Sequence, residues 1–361
     1  MESTGGQFPL AGGIVSARSS SREEGLEKTS RRLTGFNDVF SRKPSGRYFE
    51  RLDLLDQNAS FDLQPVSPFR LDLAVWTLRR RPDNLFDRWN GTTYRRVLIA
   101  DDKPFEIAVT QYAESKNLRV EINGTRLTSS VKTTVTAALE RLLGLNVDLQ
   151  KFYRLSKTDH WLKPLASQFQ GMKPPRLLSP FEALINAVAC QQLTLTMGIR
   201  LLNRLTEAYG MALKTENGIV HAFPRPQDLV TADLEDLREM SFSYQKARYI
   251  TNISRLIMDG ELDLDALAQL NDEEAVARLC ELKGVGRWTA EYVLLRGLGR
   301  THIFPADDVG ARNNLQKWLG LPGKMTYANT REALMRWDGF GGLIYFHLLL
   351  KSLAEKGLVS I

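Results

Sequence analysis

Residues 281–287 of the chain, ELKGVGR, connect two stretches of helical character. Gly284 and Gly286, at alternate positions of this connection, permit backbone geometries that other residues do not adopt. Amide N–H groups at the start of the second helix would then face a phosphate oxygen without obstruction by a side chain. Such contacts hold DNA without reading its sequence. The pattern predicts a helix-hairpin-helix at about residues 272–298, with a plain connection between two helices as the alternative.

An aspartate follows this predicted hairpin. Asp308 lies 22 residues beyond Gly286, after the segment FPAD at residues 304–307, where a proline ends one element before another begins. We therefore expect Asp308 at or near a helix N-terminus, where free amides and the positive end of the helix dipole favour an ionised carboxylate. Such a carboxylate suits chemistry on an electron-deficient sugar. The alternative is that Asp308, or its neighbour Asp307, only caps the helix.

The composition limits the class of protein. The 361 residues are 43% hydrophobic, which predicts two or three domains, and the formal charge of +6 fits a polyanionic partner without requiring one. Only Cys190 and Cys280 are present, which excludes a disulfide scaffold, a four-cysteine zinc site and a cysteine-ligated iron–sulfur cluster. No apolar run approaches the roughly 20 residues of a membrane span, and no secretion signal is visible. We expect a soluble intracellular protein.

The N-terminal part of the chain changes character twice. Residues 1–62 are polar and lack apolar periodicity, which predicts a disordered or extended tail rather than a nucleic-acid tether or a weak targeting signal. Residues 63–137 are predicted to form a small α+β domain. Apolar side chains alternate with others over 105–109 and 118–122, as in antiparallel strands, and residues 131–145 have the period of an amphipathic helix.

Residues 138–361 are predicted to form a helical domain that contains the hairpin. Apolar positions with a helical period run from Phe181 to Gly210. Ser179 and Glu182 have the spacing at which each side chain bonds the other's free backbone amide at a helix start. The predicted fold class is mainly α with an N-terminal α+β domain.

The hairpin and the aspartate together resemble one known family. LKGVGRWTAEYVLLRG at residues 282–297, followed by FPADDVGAR at 304–312, closely resembles the 3-methyladenine DNA glycosylase II family of the helix-hairpin-helix superfamily. PFEALINAVACQQ at 180–192 is similar to the family's helix that ends in a glutamine-containing loop. The resemblance covers roughly residues 69–355. It implies an antiparallel-sheet domain followed by a two-lobed helical helix-hairpin-helix glycosylase body.

This resemblance also implies an activity. The enzyme would hydrolyse the N-glycosidic bond of alkylated bases, of the 3-methyladenine and 7-methylguanine type, in double-stranded DNA during base-excision repair, after flipping the base out of the helix. Asp308 matches the family's catalytic aspartate. Trp288 stands where related bifunctional enzymes carry a Schiff-base lysine, so no lyase step is expected. Trp288 and Tyr292, four residues apart on one helix face, would line the base pocket, with an ordinary core position as the alternative.

Further positions follow from the same resemblance. The loop of Gln191, Gln192 and Leu193 would contact DNA and supply the residue that fills the gap left by the flipped nucleotide. Gln192 is favoured over Leu193 for this role, with ordinary loop contacts as the alternative for both. Phe340 stands where a pocket tryptophan is expected, and Trp76 is assigned as another pocket wall or as a core residue. The hairpin residues expected to contact the DNA backbone are Lys283, Gly284, Val285, Gly286 and Arg287.

The resemblance implies no redox or metal cofactor, although a structural monovalent cation would fit at the hairpin. It implies a monomer, cytoplasmic and nucleoid-associated in a bacterium or nuclear in a eukaryote. Two alternatives stay open on the sequence: a glycosylase for oxidised, deaminated or etheno bases, and a non-catalytic DNA module that binds lesions.

Overall fold

The computed structural model of the protein describes residues 59–112 and 116–359. The predicted tail, residues 1–62, extends too far, because the first strand begins at Ala59. That strand has only five residues and pairs along one side, so it is too short to give a periodic signal of its own. Residues 1–58 of the predicted tail lie outside the described residues.

An antiparallel sheet with the strand order β1-β5-β4-β3-β2 begins the described chain. Its strands are β1 (Ala59–Leu63), β2 (Arg88–Trp89), β3 (Thr93–Ala100), β4 (Lys103–Gln111) and β5 (Leu118–Asn123). In β5 the side chains of Leu118, Val120 and Ile122 are buried and the residues between them are half-buried, as the period of two predicts.

Strand β4 is buried on both faces, whereas alternation predicts burial on one. Glu106 and Ala108 are covered as well as the apolar residues between them. A hairpin of β6 (Ala212–Thr215) and β7 (Gly218–His221) packs against β4. The buried Glu106 carboxylate is compensated by ion pairs with Arg88 at 2.9 Å and Arg95 at 3.3 Å.

The described residues contain fourteen α-helices. They are α1 (Leu71–Arg79), α2 (Ser129–Leu143), α3 (Gln150–Thr158), α4 (Leu162–Gln168), α5 (Pro180–Cys190), α6 (Leu195–Tyr209), α7 (Pro226–Leu229), α8 (Leu234–Glu239), α9 (Tyr244–Met258), α10 (Asp272–Cys280), α11 (Arg287–Val293), α12 (Val309–Leu319), α13 (Tyr327–Leu334) and α14 (Gly341–Ala354). Helix α11 continues as a π-helical turn, Leu294–Leu298. Within the two described ranges, no helix has both the length and the apolar character that crossing a membrane requires.

The predicted helical segment from Phe181 to Gly210 is two helices, α5 and α6, separated by residues 191–194. At the start of α5 the Ser179 hydroxyl accepts a hydrogen bond from the amide of Glu182 at 3.1 Å, as predicted. The reciprocal half of that cap is not formed. The Glu182 carboxylate instead accepts a hydrogen bond from Arg96 of β3 at 2.6 Å, which ties α5 to the sheet.

Two large clusters of buried side chains form most of the core, besides a small third cluster of Val97, Leu213 and Ala222. The first joins the sheet and α2 to helices α5–α11, and the second joins α3 and α4 to α12–α14. Helix α2 runs across the predicted domain boundary at residues 137 and 138, and its buried residues belong to the first cluster. The long helical part of the chain therefore has two apolar centres, as the expectation of two lobes requires.

Candidate active site

Helices α10 and α11 form the predicted hairpin, and their connection contains one glycine with an unusual backbone. Gly284 has a φ of +88°, and a Cβ atom there would lie 2.2 Å from the ring of Tyr249. Both its conformation and its packing require glycine. The same prediction is wrong for Gly286, whose φ is −102° and whose absent Cβ would meet no atom within 4 Å. Gly286 is instead the N-cap of α11, where its lack of a side chain leaves the first amides open.

The remaining hairpin residues divide by exposure. Lys283 and Arg287 are exposed, and the Arg287 guanidinium lies 4.7 Å from the centre of the Tyr327 ring. The Val285 side chain is buried in the first core cluster. Val285 therefore offers DNA only its backbone, whereas the two cationic side chains are accessible.

Asp308 is the N-cap of α12. Its Oδ1 accepts a hydrogen bond from the amide of Ala311 at 2.8 Å, and its Oδ2 accepts one from the indole N–H of Trp288 at 3.2 Å. The helix-start position expected from the sequence is confirmed. One oxygen caps α12, and the other accepts the hydrogen bond from the hairpin helix α11. The carboxylate therefore does more than cap the helix. Asp307 lies 3.8 Å from Arg312 instead.

A buried glutamate of α11 holds the loop that leads to Asp308. The Glu291 carboxylate accepts hydrogen bonds from the amide of Ala306 at 3.1 Å and from the hydroxyl of Tyr327 at 2.8 Å. Burial raises the pKa of Glu291, and these two donors oppose the rise. Sequence reasoning did not single out this residue. Its signal was a charged side chain among the apolar residues of the second hairpin helix.

Trp288 and Tyr292 lie side by side, with ring centres 5.9 Å apart, and differ in exposure. Trp288 is half-buried and bonds Asp308, whereas Tyr292 is 2% exposed. The Tyr292 hydroxyl donates to Asn186 of α5 at 3.1 Å, and the guanidinium groups of Arg80 and Arg296 lie 6.0 and 5.8 Å from its ring centre. Trp288 is therefore the more accessible of the two predicted pocket rings.

The loop between α5 and α6 is fastened to the hairpin. The side-chain amide of Gln191 donates to the carbonyl of Gly284 at 2.8 Å and to the hydroxyl of Thr289 at 3.0 Å. The ammonium of Lys246 donates to the carbonyls of Ala189 at 2.9 Å and Gln191 at 2.7 Å. Gln191, predicted to contact DNA, thus points its amide into the protein.

Gln192 and Leu193, the two residues predicted to enter the base stack, are both exposed at this loop. Gln192 has a φ of +54°, which is uncommon for a residue other than glycine, and such strain often occurs at functional sites. Leu193 presents an apolar side chain that is 42% exposed. Both residues stay candidates for the wedge.

Trp76 and Phe340 lie apart from the hydrogen bonds described above. Phe340 packs against Phe152, with ring centres 5.7 Å apart, and the Arg79 guanidinium lies 5.2 Å from the Trp76 ring centre. Both rings pack against the second core cluster. Their part in a base pocket stays a prediction.

The fold and these contacts define a class of protein. In this class a helix-hairpin-helix lies next to one fixed carboxylate and an exposed loop. Residues 185–338 match the family model described as "HhH-GPD superfamily base excision DNA repair protein". The chain is 31% identical over 204 residues to a DNA-3-methyladenine glycosylase of Bacillus subtilis, and the match covers 56% of this chain and 67% of that protein. It is 33% identical over 172 residues to DNA-3-methyladenine glycosylase 1 of Schizosaccharomyces pombe, and that match covers 46% of this chain and 72% of the relative.

A solved structure agrees with these sequence matches. The 3-methyladenine DNA-glycosylase from Archaeoglobus fulgidus superposes with a TM-score of 0.71 and 26% identity, covering 83% of this chain and 100% of that one. The chain therefore belongs to the 3-methyladenine DNA glycosylase family within the HhH-GPD superfamily of base-excision repair proteins. The resemblance and the fold class inferred from the sequence are both confirmed.

Proposed function

We propose that this protein is a monofunctional DNA glycosylase that releases alkylated bases, of the 3-methyladenine and 7-methylguanine type, from double-stranded DNA. The placement of Asp308 carries the proposal. One carboxylate oxygen is fixed by the start of α12 and the other by the indole of Trp288 on the hairpin helix. Two relatives that carry the name DNA-3-methyladenine glycosylase support the choice of base.

Binding begins with the DNA backbone and the damaged nucleotide. The open amides at the start of α11 would hold a phosphate next to the exposed cations Lys283 and Arg287. The damaged base leaves the helix at a lower cost than a sound one because its pairing is weakened. Gln192 or Leu193 would fill the gap in the stack, and the Trp288 ring would stack on the electron-poor base.

Asp308 would act on the sugar. Alkylation of a ring nitrogen gives the base a positive charge, so it leaves with the electron pair of the N-glycosidic bond and little acid catalysis is required. The carboxylate of Asp308 stabilises the oxocarbenium-like sugar and orients the water that attacks C1′. Water supplies the hydroxyl group that replaces the base, and its second proton is released to solvent. The products are a free base and an abasic site.

Two details complete the proposal. Trp288 carries no amine that forms a Schiff base, so the DNA strand stays uncut. The hairpin turn offers backbone carbonyls to a structural monovalent cation: those of Leu282 and Gly284 each accept one hydrogen bond and keep a second lone pair. These oxygens fit such an ion and would hold it at the turn, where its charge would favour a phosphate of the DNA backbone without taking part in the reaction.

The test is single-turnover release of 3-methyladenine and 7-methylguanine from methylated duplex DNA by the wild type and by Asp308→Asn, with strand cleavage scored separately. Asparagine is an equally good N-cap, so the fold should be kept. The loss of the negative charge should slow release by at least about 100-fold. Asp307→Asn changes the neighbouring carboxylate and should release both bases at nearly the wild-type rate.

The other outcomes are also informative. No release by the wild type would point to another lesion class, or to a lesion-binding module if damaged DNA is still bound. Equal release by Asp308→Asn would mean that another group supplies the charge. Cut strands would contradict the monofunctional mechanism.

A further inference from the structure

Two arginines, Arg80 and Arg296, are buried beside the ring of Tyr292, and neither forms an ion pair with a described carboxylate. Arg80, which follows α1, is 5% exposed, and Arg296, in the π-helical turn after α11, is fully buried. Across residues 59–112 and 116–359, neither guanidinium has a carboxylate within the 4.0 Å of an ion pair. Arg96, by contrast, is equally buried and bonds both Asp87 and Glu182. A buried charge without such compensation is costly, which points to a use beyond stability.

The two arginines have different partners. Arg296 donates to the carbonyls of Thr77 and Leu78 at 2.9 and 3.3 Å, so it holds the end of α1. Arg80 donates to the side-chain oxygen of Asn186 at 2.6 Å, and its Nε–H has no acceptor among the described atoms. The backbone of Arg80 is left-handed, with a φ of +60°. Arg80 is therefore a positioned guanidinium with an unused donor.

The Arg80 guanidinium lies 6.0 Å from the centre of the Tyr292 ring, and the ring of Trp288, which bonds Asp308, lies 5.9 Å from the same ring. The charges of Arg80 and Asp308 act on the same three side chains, those of Cys190, Tyr292 and Tyr345. Burial raises the pKa of each of these three groups, the negative charge of Asp308 raises it further, and the positive charge of Arg80 opposes the rise. Arg80 thus lies against one ring of the Trp288–Tyr292 pair, and Asp308 is bonded to the other.

We propose that Arg80 determines base specificity by donating a hydrogen bond to the C6 edge of the extruded purine, and so favours 6-oxopurines over 6-aminopurines. This inference rests on the proposed glycosylase activity. With the C1′–N9 bond at Asp308, the C6 edge is the end of the purine farthest from that bond. Arg80 would meet that edge beside the ring of Tyr292.

The chemistry of the guanidinium gives the preference. It has five N–H donors and no acceptor, so it bonds the O6 acceptor of a guanine-type base and not the amino group of an adenine-type base. Both 7-methylguanine and 3-methyladenine are positively charged while attached to the sugar. Arg80 therefore repels both bases alike. Only 7-methylguanine offers the C6 oxygen that accepts a hydrogen bond from Arg80.

The experiment measures single-turnover rate constants for 7-methylguanine and 3-methyladenine release from the same methylated duplex. In Arg80→Gln the ratio of the 7-methylguanine to the 3-methyladenine rate constant should fall about 10- to 100-fold, the range for a hydrogen bond to a charged group. Arg80→Lys keeps the charge and N–H donors and should restore part of the ratio. Melting temperatures report whether each variant is folded.

A second measurement needs no variant. Free hypoxanthine carries an oxygen at C6, whereas free adenine carries an amino group there. Hypoxanthine should therefore inhibit the wild type at a concentration at least about tenfold lower than adenine does. An unchanged ratio in Arg80→Gln, or equal inhibition by both bases, would overturn the role of Arg80 and leave the glycosylase activity standing. No release of either base by the wild type would instead contradict the proposed function, and this inference with it.

Discussion

The two glycines of the hairpin show how one residue type serves two physical needs. Gly284 occupies a left-handed backbone region and lies where any side chain would collide with the Tyr249 ring. Gly286 has an ordinary φ and free space around it, at the N-cap of α11. The first glycine is needed to form the turn, and the second leaves the amides accessible to a phosphate.

The same substitution at both positions should separate these needs. Gly284→Ser should lower the free energy of unfolding by about 1–3 kcal/mol, because it adds backbone strain and a clash. Gly286→Ser should change that free energy by less than about 0.5 kcal/mol, since serine is a favoured N-cap. Its hydroxyl would occupy the amides meant for the phosphate, so DNA affinity should fall.

Urea unfolding and fluorescence anisotropy with labelled duplex DNA at fixed salt measure the two effects. If Gly286→Ser bound DNA as tightly as the wild type, the amides of α11 would not contact the backbone.

At the scale of elements, the loop after α5 and the hairpin behave as one unit. The side chain of Gln191 links them through two hydrogen bonds, and Lys246 of α9 fixes the same loop by bonding its carbonyls. The exposed residues Gln192 and Leu193 therefore have a defined position relative to the amides that would hold DNA. If the hairpin binds the DNA backbone and the loop enters the base stack, as we propose, this link couples the two contacts.

Gln191→Met should test the link, since methionine keeps the length and loses both donors. Stability should fall by about 1–3 kcal/mol because buried acceptors lose their partners. Base release should slow as well, although Gln191 does not face the DNA. Gln192→Met is the matched control, and its exposed side chain should alter stability by less than about 0.5 kcal/mol. Equal stability of the two variants would show that the link contributes nothing.

Elements with a strong local pattern could be predicted from the sequence, and their interruptions could not. Alternating apolar residues located β5, and the capping residue Ser179 located the start of α5. The break at residues 191–194 was missed because both flanking helices bury apolar faces with the same period. The double burial of β4 depends on a hairpin about 100 residues later in the chain, which local periodicity does not report.

At the scale of the whole molecule, the site depends on contacts between distant parts of the chain. Asp308 and Trp288 were predicted because a continuous motif carries them, and their hydrogen bond joins α11 and α12. Arg80 and Asn186 are 106 residues apart, and neither has a local pattern that marks it. Only the fold, which brings the residue after α1 to the side chain of Asn186 on α5, reveals the pair. Sequence thus located the candidate carboxylate and its partner Trp288 and missed Arg80 and Asn186.

A buried histidine that packs in the second core cluster makes the stability of the protein depend on pH. The His347 ring packs between Phe152 and Phe169, and its Nδ1–H donates to the carbonyl of Leu343 at 2.8 Å. Burial lowers the pKa of His347 to about 4, and the bond to Leu343 opposes the shift only in part. In the unfolded chain the pKa of a histidine is about 6.5. The folded protein therefore keeps this ring neutral down to about pH 4.

This difference should make the protein lose stability as the pH falls from about 6.5 towards 4, since only the unfolded chain binds the proton there. The free energy of unfolding should fall by about 3 kcal/mol in all over this range. His347→Leu should remove this loss, so its free energy of unfolding should depend less on pH. Urea unfolding of both proteins between pH 7 and 4.5 measures it. Other groups also contribute there: burial raises the pKa values of Glu291 and Glu182 and lowers that of His221. The difference between the two proteins isolates His347, and equal pH slopes would mean that the ring is protonated inside the fold.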